Sequence, residues 1–171
     1  MDTFATIAAR RDVRRFDPAP LAPDRLDRLL DAARRSPSSQ NWQPWDLVLV
    51  TDRAQLEELS KVWRGAGHVA TSAATVALVT RDFAEGRERE TAAYDLGQLT
   101  AHLMLAAADL GIGSGHSAVE DQDLARRVLG LPEDRRCAYL VPLGVPADRP
   151  LAPVRRPDRR RLEEVVHRGT W

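Results

Sequence analysis

Apolar residues along this chain alternate between two rhythms. Leu26, Leu29, Leu30 and Ala33 recur at helical spacing and predict an amphipathic helix that ends near Ser36 and Pro37. The run Asp46 to Thr51 (DLVLVT) is short, apolar and rich in valine, which predicts a buried strand, and Ala74 to Thr80 (ATVALVT) predicts a second. Between them, Gln55 to Trp63 returns to helical periodicity. Before the first of these helices, Asp2 to Ala9 can form a short helix, which the three prolines between Asp17 and Pro23 must end.

From about Arg89 to Leu110 there is no proline, and Ala92, Ala93, Leu96, Leu99, Leu103, Met104, Ala107 and Leu110 cover most of a helix circumference. Such a helix is buried on several sides, within a core or between subunits. Asp95, His102 and Asp109 interrupt it, so its charge-free apolar part is far shorter than the ~20 residues a bilayer requires. Three glycines within Gly111 to Gly115 break it and leave backbone that a ligand can approach closely. A short helix over Asp121 to Leu129 leads to a third strand at Ala138 to Leu143 and a last short helix near Arg161 to His167. No internal repeat is visible, and residues 1–171 are expected to form a single domain.

The 171 residues suffice to bury a core without disulfides or a structural metal. Basic and acidic residues number 25 each, so no net field draws the chain to nucleic acid or an anionic membrane, and neither is expected as a partner. An arginine-rich nucleic-acid module is therefore a minor reading. Cys137 is the single cysteine, which excludes an internal disulfide and a multi-cysteine metal site. The four histidines are scattered singly, so no metal is expected. The first residues lack the apolar stretch of a signal peptide, and a cytoplasmic location is the expectation.

Four segments could carry chemistry. Arg10-Arg11-Asp12-Val13-Arg14-Arg15-Phe16 clusters arginines at a helix exit, either as a solvated basic turn or as an anion grip in which Arg10 and Arg14 converge on a phosphate or carboxylate. Ser36 to Trp45 (SPSSQNWQPW) offers uncharged donors and acceptors that suit the uracil-like edge of a flavin ring, or else simply caps a helix and turns. Gly111 to Gly115, with His116 and Ser117 behind it, follows a helix rather than a strand and so is no dinucleotide fingerprint. Arg155-Arg156-Pro157-Asp158-Arg159-Arg160-Arg161 is a second basic cluster, an exposed tail or the other half of a phosphate grip.

Taken in order, these segments resemble the nitroreductase family of FMN-dependent NAD(P)H oxidoreductases. The matching elements are RRDVRRF, SPSSQNWQPW, DLGQLTAHLMLAAADLGIGSG, LGLPEDRRCAYLVPLGVP and RRRLEEVVHRGTW. The resemblance implies an α+β fold, a central mostly antiparallel sheet flanked by helices, in an intertwined homodimer with two FMN sites at its interface. It implies FMN contacts from Arg10, Arg11, Asp12 and Arg14, where Asp12 departs from the family's usual serine. Pro37, Ser38, Ser39 and Asn41 are implied to reach the ring and ribityl from the partner subunit, with Gln43 on the same wall. Backbone at Ile112, Gly113, Ser114 and Gly115 is implied beside the ring, with His116 close by, and Arg159 and Arg161 at the phosphate, with Arg160 the neighbouring alternative. The implied reaction passes hydride from NADH or NADPH through FMN to a small organic acceptor, a nitroaromatic or quinone for example, in a ping-pong cycle with no catalytic side chain. The alternative is a flavin-binding or flavin-handling protein of the same fold without nicotinamide turnover.

Overall fold

The structure is a computed structural model that describes residues 2–154 and 156–171; Arg155, in the C-terminal arginine cluster, lies outside the described residues. Asp2 caps the first helix, α1 (Thr3–Ala9), by accepting from the Ala5 amide. Pro23 opens α2 (Pro23–Arg34), where its missing N–H costs nothing. β1 (Asp46–Val50) and α3 (Arg53–Leu59) follow, the latter capped by Asp52. Next come β2 (Ala74–Arg81) and α4 (Arg87–Asp109), the 23-residue helix. β3 (Gly113–Ser114), β4 (Ser117–Ala118), α5 (Gln122–Leu129), β5 (Arg135–Gly144) and α6 (Leu162–Val165) complete the chain.

The strands form one sheet in the order β1-β2-β5-β3, with β4 also on β5, and every pairing between named strands is antiparallel. Side chains on a strand alternate between faces, and β2 carries apolar residues on both. Val76 and Leu78 join α2 and α4 in one core with Leu29, Leu99 and Leu103. Ala77 joins Leu56, Val69, Ala125 and Leu140 in a second core under α3 and α5. The sheet is thus the middle of three layers, which is why β1 and β2 read as unbroken apolar runs.

The sequence-based expectation of three strands is corrected by two short additions, β3 and β4, that fill the stretch expected to be open loop. β5 starts at Arg135, three residues before its apolar part. Its pairing with β2 shifts register at Leu78/Val79, opposite Tyr139 and Cys137, and skips Ala138. The Gln122 side chain takes up the Cys137 backbone there, donating to its carbonyl at 2.9 Å and accepting from its amide at 3.2 Å. Helical geometry ends at Leu59 rather than Trp63.

Burial pushes the Cys137 thiol up to about 12, with the Arg136 charge pulling the other way. A thiol raised in this way favours the folded state below about pH 9 and loses that contribution as pH rises toward 12. At pH 8, the native protein should leave Cys137 unreacted with a thiol reagent, while the denatured chain reacts fully. Prompt labelling of native protein would contradict this burial.

Candidate active site

After α1 the chain does not turn away as a flexible basic segment; it extends. Val13 donates to the Ser114 carbonyl at 2.8 Å and Asp12 bridges Ser114 in parallel. On the other side Phe16 bridges Pro146, Asp17 donates to Val145 at 2.9 Å and Ala147 donates to Arg15 at 2.9 Å. Extended backbone puts alternate residues on opposite sides. Arg10, Asp12 and Arg14 therefore share one side. Asp12 joins them, at 3.0 Å from Arg10 and 3.9 Å from Arg14, and its second oxygen lies 3.4 Å from His116 Nδ1. A carboxylate in the place of a serine would repel a phosphate alone; here it is matched by two guanidinium groups.

Arg11 goes the other way. Its guanidinium holds Asp148 at 2.6 Å and the Arg149 carbonyl at 2.7 Å. That hydrogen bond keeps the Asp148 carboxyl below its ordinary range. Arg11 is engaged in tying down the segment after β5 and does not line the groove described next.

A groove of about 680 Å³ runs beside α4, lined on its polar side by Arg10, His116, Tyr139 and Arg159. Its apolar wall includes Gly97, Ala101, Met104 and Leu105 of α4 and Ile7 of α1. Arginines from opposite ends of the chain thus meet at one cavity. Among the described arginines of the final cluster, Arg159 is the one at the groove. Arg160 and Arg161 are paired with Glu164 and Glu163 respectively, and Arg161 does not line the groove.

The three residues Gly113, Ser114 and Gly115 are buried. A Cβ on Gly113 would stand 2.9 Å from Val13 Cγ2, and one on Gly115 2.7 Å from the Val13 carbonyl oxygen. The space a Cβ would need at these two glycines is taken by the chain's own extended segment at Val13, and His116, next in sequence, lines the groove. His68 is buried behind Gly115, and its Nδ1 donates to the Gly65 carbonyl at 3.1 Å. Burial, and next the Arg14 charge, lower its pKa.

Pro37, Ser38, Ser39 and Asn41 form a separate, strained loop and do not line the Arg10–Arg159 groove within one chain. Gln40, Asn41 and Gln43 have φ of 52, 58 and 52°, and a non-glycine residue in that left-handed region costs roughly 1–2 kcal/mol. Ser38 Oγ accepts from the Gln43 amide at 2.9 Å, and Trp42 packs on Phe83 with ring centroids 5.4 Å apart. Local strain of this kind persists only where the surrounding structure holds it.

Tyr139 was not singled out by sequence reading. Its neighbours Ala138, Leu140 and Val141 read as core, and the alternation along AYLVPL that turns Tyr139 outward was the available signal. Among the described residues no cluster of three or more His, Cys, Asp or Glu side chains could hold a metal ion. Among them, too, no helix is long and apolar enough to cross a membrane.

The fold is thus α+β, with one antiparallel sheet between helical layers, a groove where arginines from both ends of the chain meet and a polar loop with left-handed backbone. The sequence model of the Nitroreductase family matches residues 7–67 and 60–145, and the chain belongs to that family. It is 28% identical over 199 residues to the NADH dehydrogenase of Thermus thermophilus, covering 97% of this chain and 95% of that one. It is 26% identical over 185 residues to the NADPH-flavin oxidoreductase of Vibrio harveyi, covering 99% of this chain and 75% of the relative. The solved structure of the Vibrio harveyi NADPH:FMN oxidoreductase complexed with NAD+ superimposes with a TM-score of 0.85 at 24% identity, over 99% of this chain and 77% of that one. The fold is that of the family, as the resemblance in the sequence implied.

Proposed function

We propose that this protein is an NAD(P)H-dependent oxidoreductase that binds FMN without a covalent bond and reduces small organic acceptors in a ping-pong cycle. The observation that carries this reading is the meeting of Arg10 and Arg159 at one groove of about 680 Å³. That volume lies within the ~300–1,000 Å³ usual for cofactor and small-molecule sites. The donor set fits a flavin mononucleotide. Two arginines suit its phosphate, while Gly97, Ala101, Met104 and Leu105 offer a flat apolar wall for its ring. FMN, when bound, supplies the centre that takes hydride from the nicotinamide and yields it to the acceptor.

The chain's own residues bind and orient. Arg10 and Arg159 would hold the phosphate, with Arg161, held by Glu163 outside the groove, the alternative; Arg14 lies 3.9 Å from Asp12, and Asp12 keeps Arg10 and His116 in place. Backbone at Gly113, Ser114 and Gly115 would run beside the ring just ahead of His116, and Arg11 anchors the segment leading to Arg159. No side chain is assigned as a proton donor. The relatives named for NADPH, flavin and FMN support the cofactor and the donor.

A second copy of the chain completes the site in this reading. Phe4 and Tyr94 are 84% and 70% exposed on α1 and α4, and Trp171 is fully exposed at the end of the tail. In this reading a second copy covers these side chains. In the dimer, Pro37, Ser38, Ser39 and Asn41 of one copy face the flavin of the other, which is why they do not line the groove of their own chain. Titrating flavin-free protein with FMN should give one equivalent bound per chain in a dimer, seen by quenching of flavin fluorescence alongside sedimentation velocity. A stable monomer with no FMN uptake would overturn the proposal.

A further inference from the structure

Asp95 is fully buried on α4. It lies three residues after Ala92 and four before Leu99, on the inward face of the helix. Its carboxyl oxygens accept from the Ser39 amide at 3.0 and 3.2 Å, from the Ser39 hydroxyl at 3.3 Å and from the Gln98 side-chain amide at 3.3 Å. Burying a carboxyl group costs free energy unless hydrogen bonds satisfy it. Hydrophobic packing therefore does not explain its position, and the partner that uses most of its hydrogen-bonding capacity is the loop.

That loop is one a polypeptide does not adopt unaided. Gln40, Asn41 and Gln43 all have positive φ, and none is glycine. The bonds from the Asn41 amide to Ser38 O and from the Gln43 amide to Ser38 Oγ close the loop on itself without fastening it to the body. At its far end Thr80 Oγ1 donates to the Pro44 carbonyl at 2.7 Å, and Trp42 rests on Phe83. At its near end Ser36 Oγ pairs with His102 Nδ1 at 2.8 Å, and the first residue of the left-handed stretch is approached by Asp95 through Ser39.

We propose that Asp95 is a positioning residue that fixes the Ser38–Gln43 loop in its left-handed conformation and thereby sets how tightly FMN is held, although it does not itself line the groove. The inference rests on the flavin reading above and adds a residue to it. The buried carboxyl acts through Ser39, by accepting from both its amide and its hydroxyl, and the loop then presents Ser38, Ser39 and Asn41 to the cofactor of the partner subunit already shaped. Order present before binding is order that binding does not have to create.

The test uses Asp95→Asn, which keeps the volume but replaces one acceptor with a donor that faces donors. Two readouts keep the two claims apart. In the flavin-free protein, amide exchange at Ser39 should speed up on the order of tenfold, which reads the pin without any cofactor. In FMN titrations followed by fluorescence quenching, the dissociation constant should rise by a similar factor, about tenfold. Gln98→Met removes one donor from the same carboxyl at nearly constant volume, and should shift both readouts in the same direction by a smaller factor; it serves if Asp95→Asn does not fold. Unchanged exchange at Ser39 in a folded variant would overturn the pin. Faster exchange with unchanged FMN affinity would overturn the link to the cofactor. Absence of FMN binding by the unsubstituted protein would overturn the flavin reading itself and this inference with it.

Discussion

Replacing Arg10 by alanine is expected to weaken FMN binding by about a hundredfold, the loss of roughly 1.5–3 kcal/mol that hydrogen bonds to a charged group contribute. Arg10 lines the groove opposite Arg159. It also balances the Asp12 carboxylate at 3.0 Å, so its removal takes away the phosphate ligand proposed above and leaves Asp12 less fully compensated, with only Arg14 at 3.9 Å and His116 Nδ1 at 3.4 Å beside it. The two effects act in the same direction. Because the interaction is between charges, the dissociation constant of the unsubstituted protein should also rise with salt, and that salt dependence should flatten in Arg10→Ala. The measurement is a fluorescence titration at two ionic strengths. Equal affinity with and without Arg10 would remove this arginine from the site.

Gly115→Ala is expected to have the largest effect on the protein itself. The added Cβ would stand 2.7 Å from the Val13 carbonyl oxygen, and backbone cannot swing aside as a flexible side chain can. Overpacking of this kind costs about 2–3 kcal/mol, a drop in melting temperature of roughly 5–10 °C for a chain of this size. It also pushes the extended segment off Ser114, moving Asp12 and Arg10 away from the groove, so FMN affinity should fall with stability. Gly67→Ala is the control: a Cβ there meets no heavy atom within 4 Å, and neither property should change appreciably. Calorimetry on the two variants checks both statements.

Much of the fold was legible because burial leaves a pattern. DLVLVT and ATVALVT read as strands since both faces of the sheet are covered, and Leu26, Leu29 and Ala33 traced the inner side of α2. β3 and β4 were not legible. Each is two residues long and exists through pairing with β5, so no local propensity announces it. Arg135 and Arg136 hid the start of β5 because charged residues at the end of a strand carry no apolar signal.

The site was legible in part. The arginine clusters pointed to Arg10 and Arg159, but the destination of Arg11 depends on Asp148, which lies 137 positions away in sequence. A period-two reading of RRDVRRF would have separated Arg10, Asp12 and Arg14 from Arg11 and Val13. Asp95 looked like an ordinary charge interrupting a helix, yet its spacing from Ala92 and Leu99 already placed it on the apolar face. The glycines after α4 read as a place of close backbone approach; that the neighbour at Gly113 and Gly115 includes Val13 is a contact between distant parts of the chain that only the fold reveals.

The central claim is that a flavin seated between arginines from both ends of the chain exchanges hydride with a nicotinamide. The direct test is the visible spectrum of the FMN-loaded protein, mixed without oxygen with NADH and, separately, with NADPH. The account predicts a yellow protein that bleaches within seconds with at least one donor and recovers its colour when a quinone or nitroaromatic is added. A protein that takes up FMN but stays yellow with both donors would contradict it and would identify a flavin-handling protein instead.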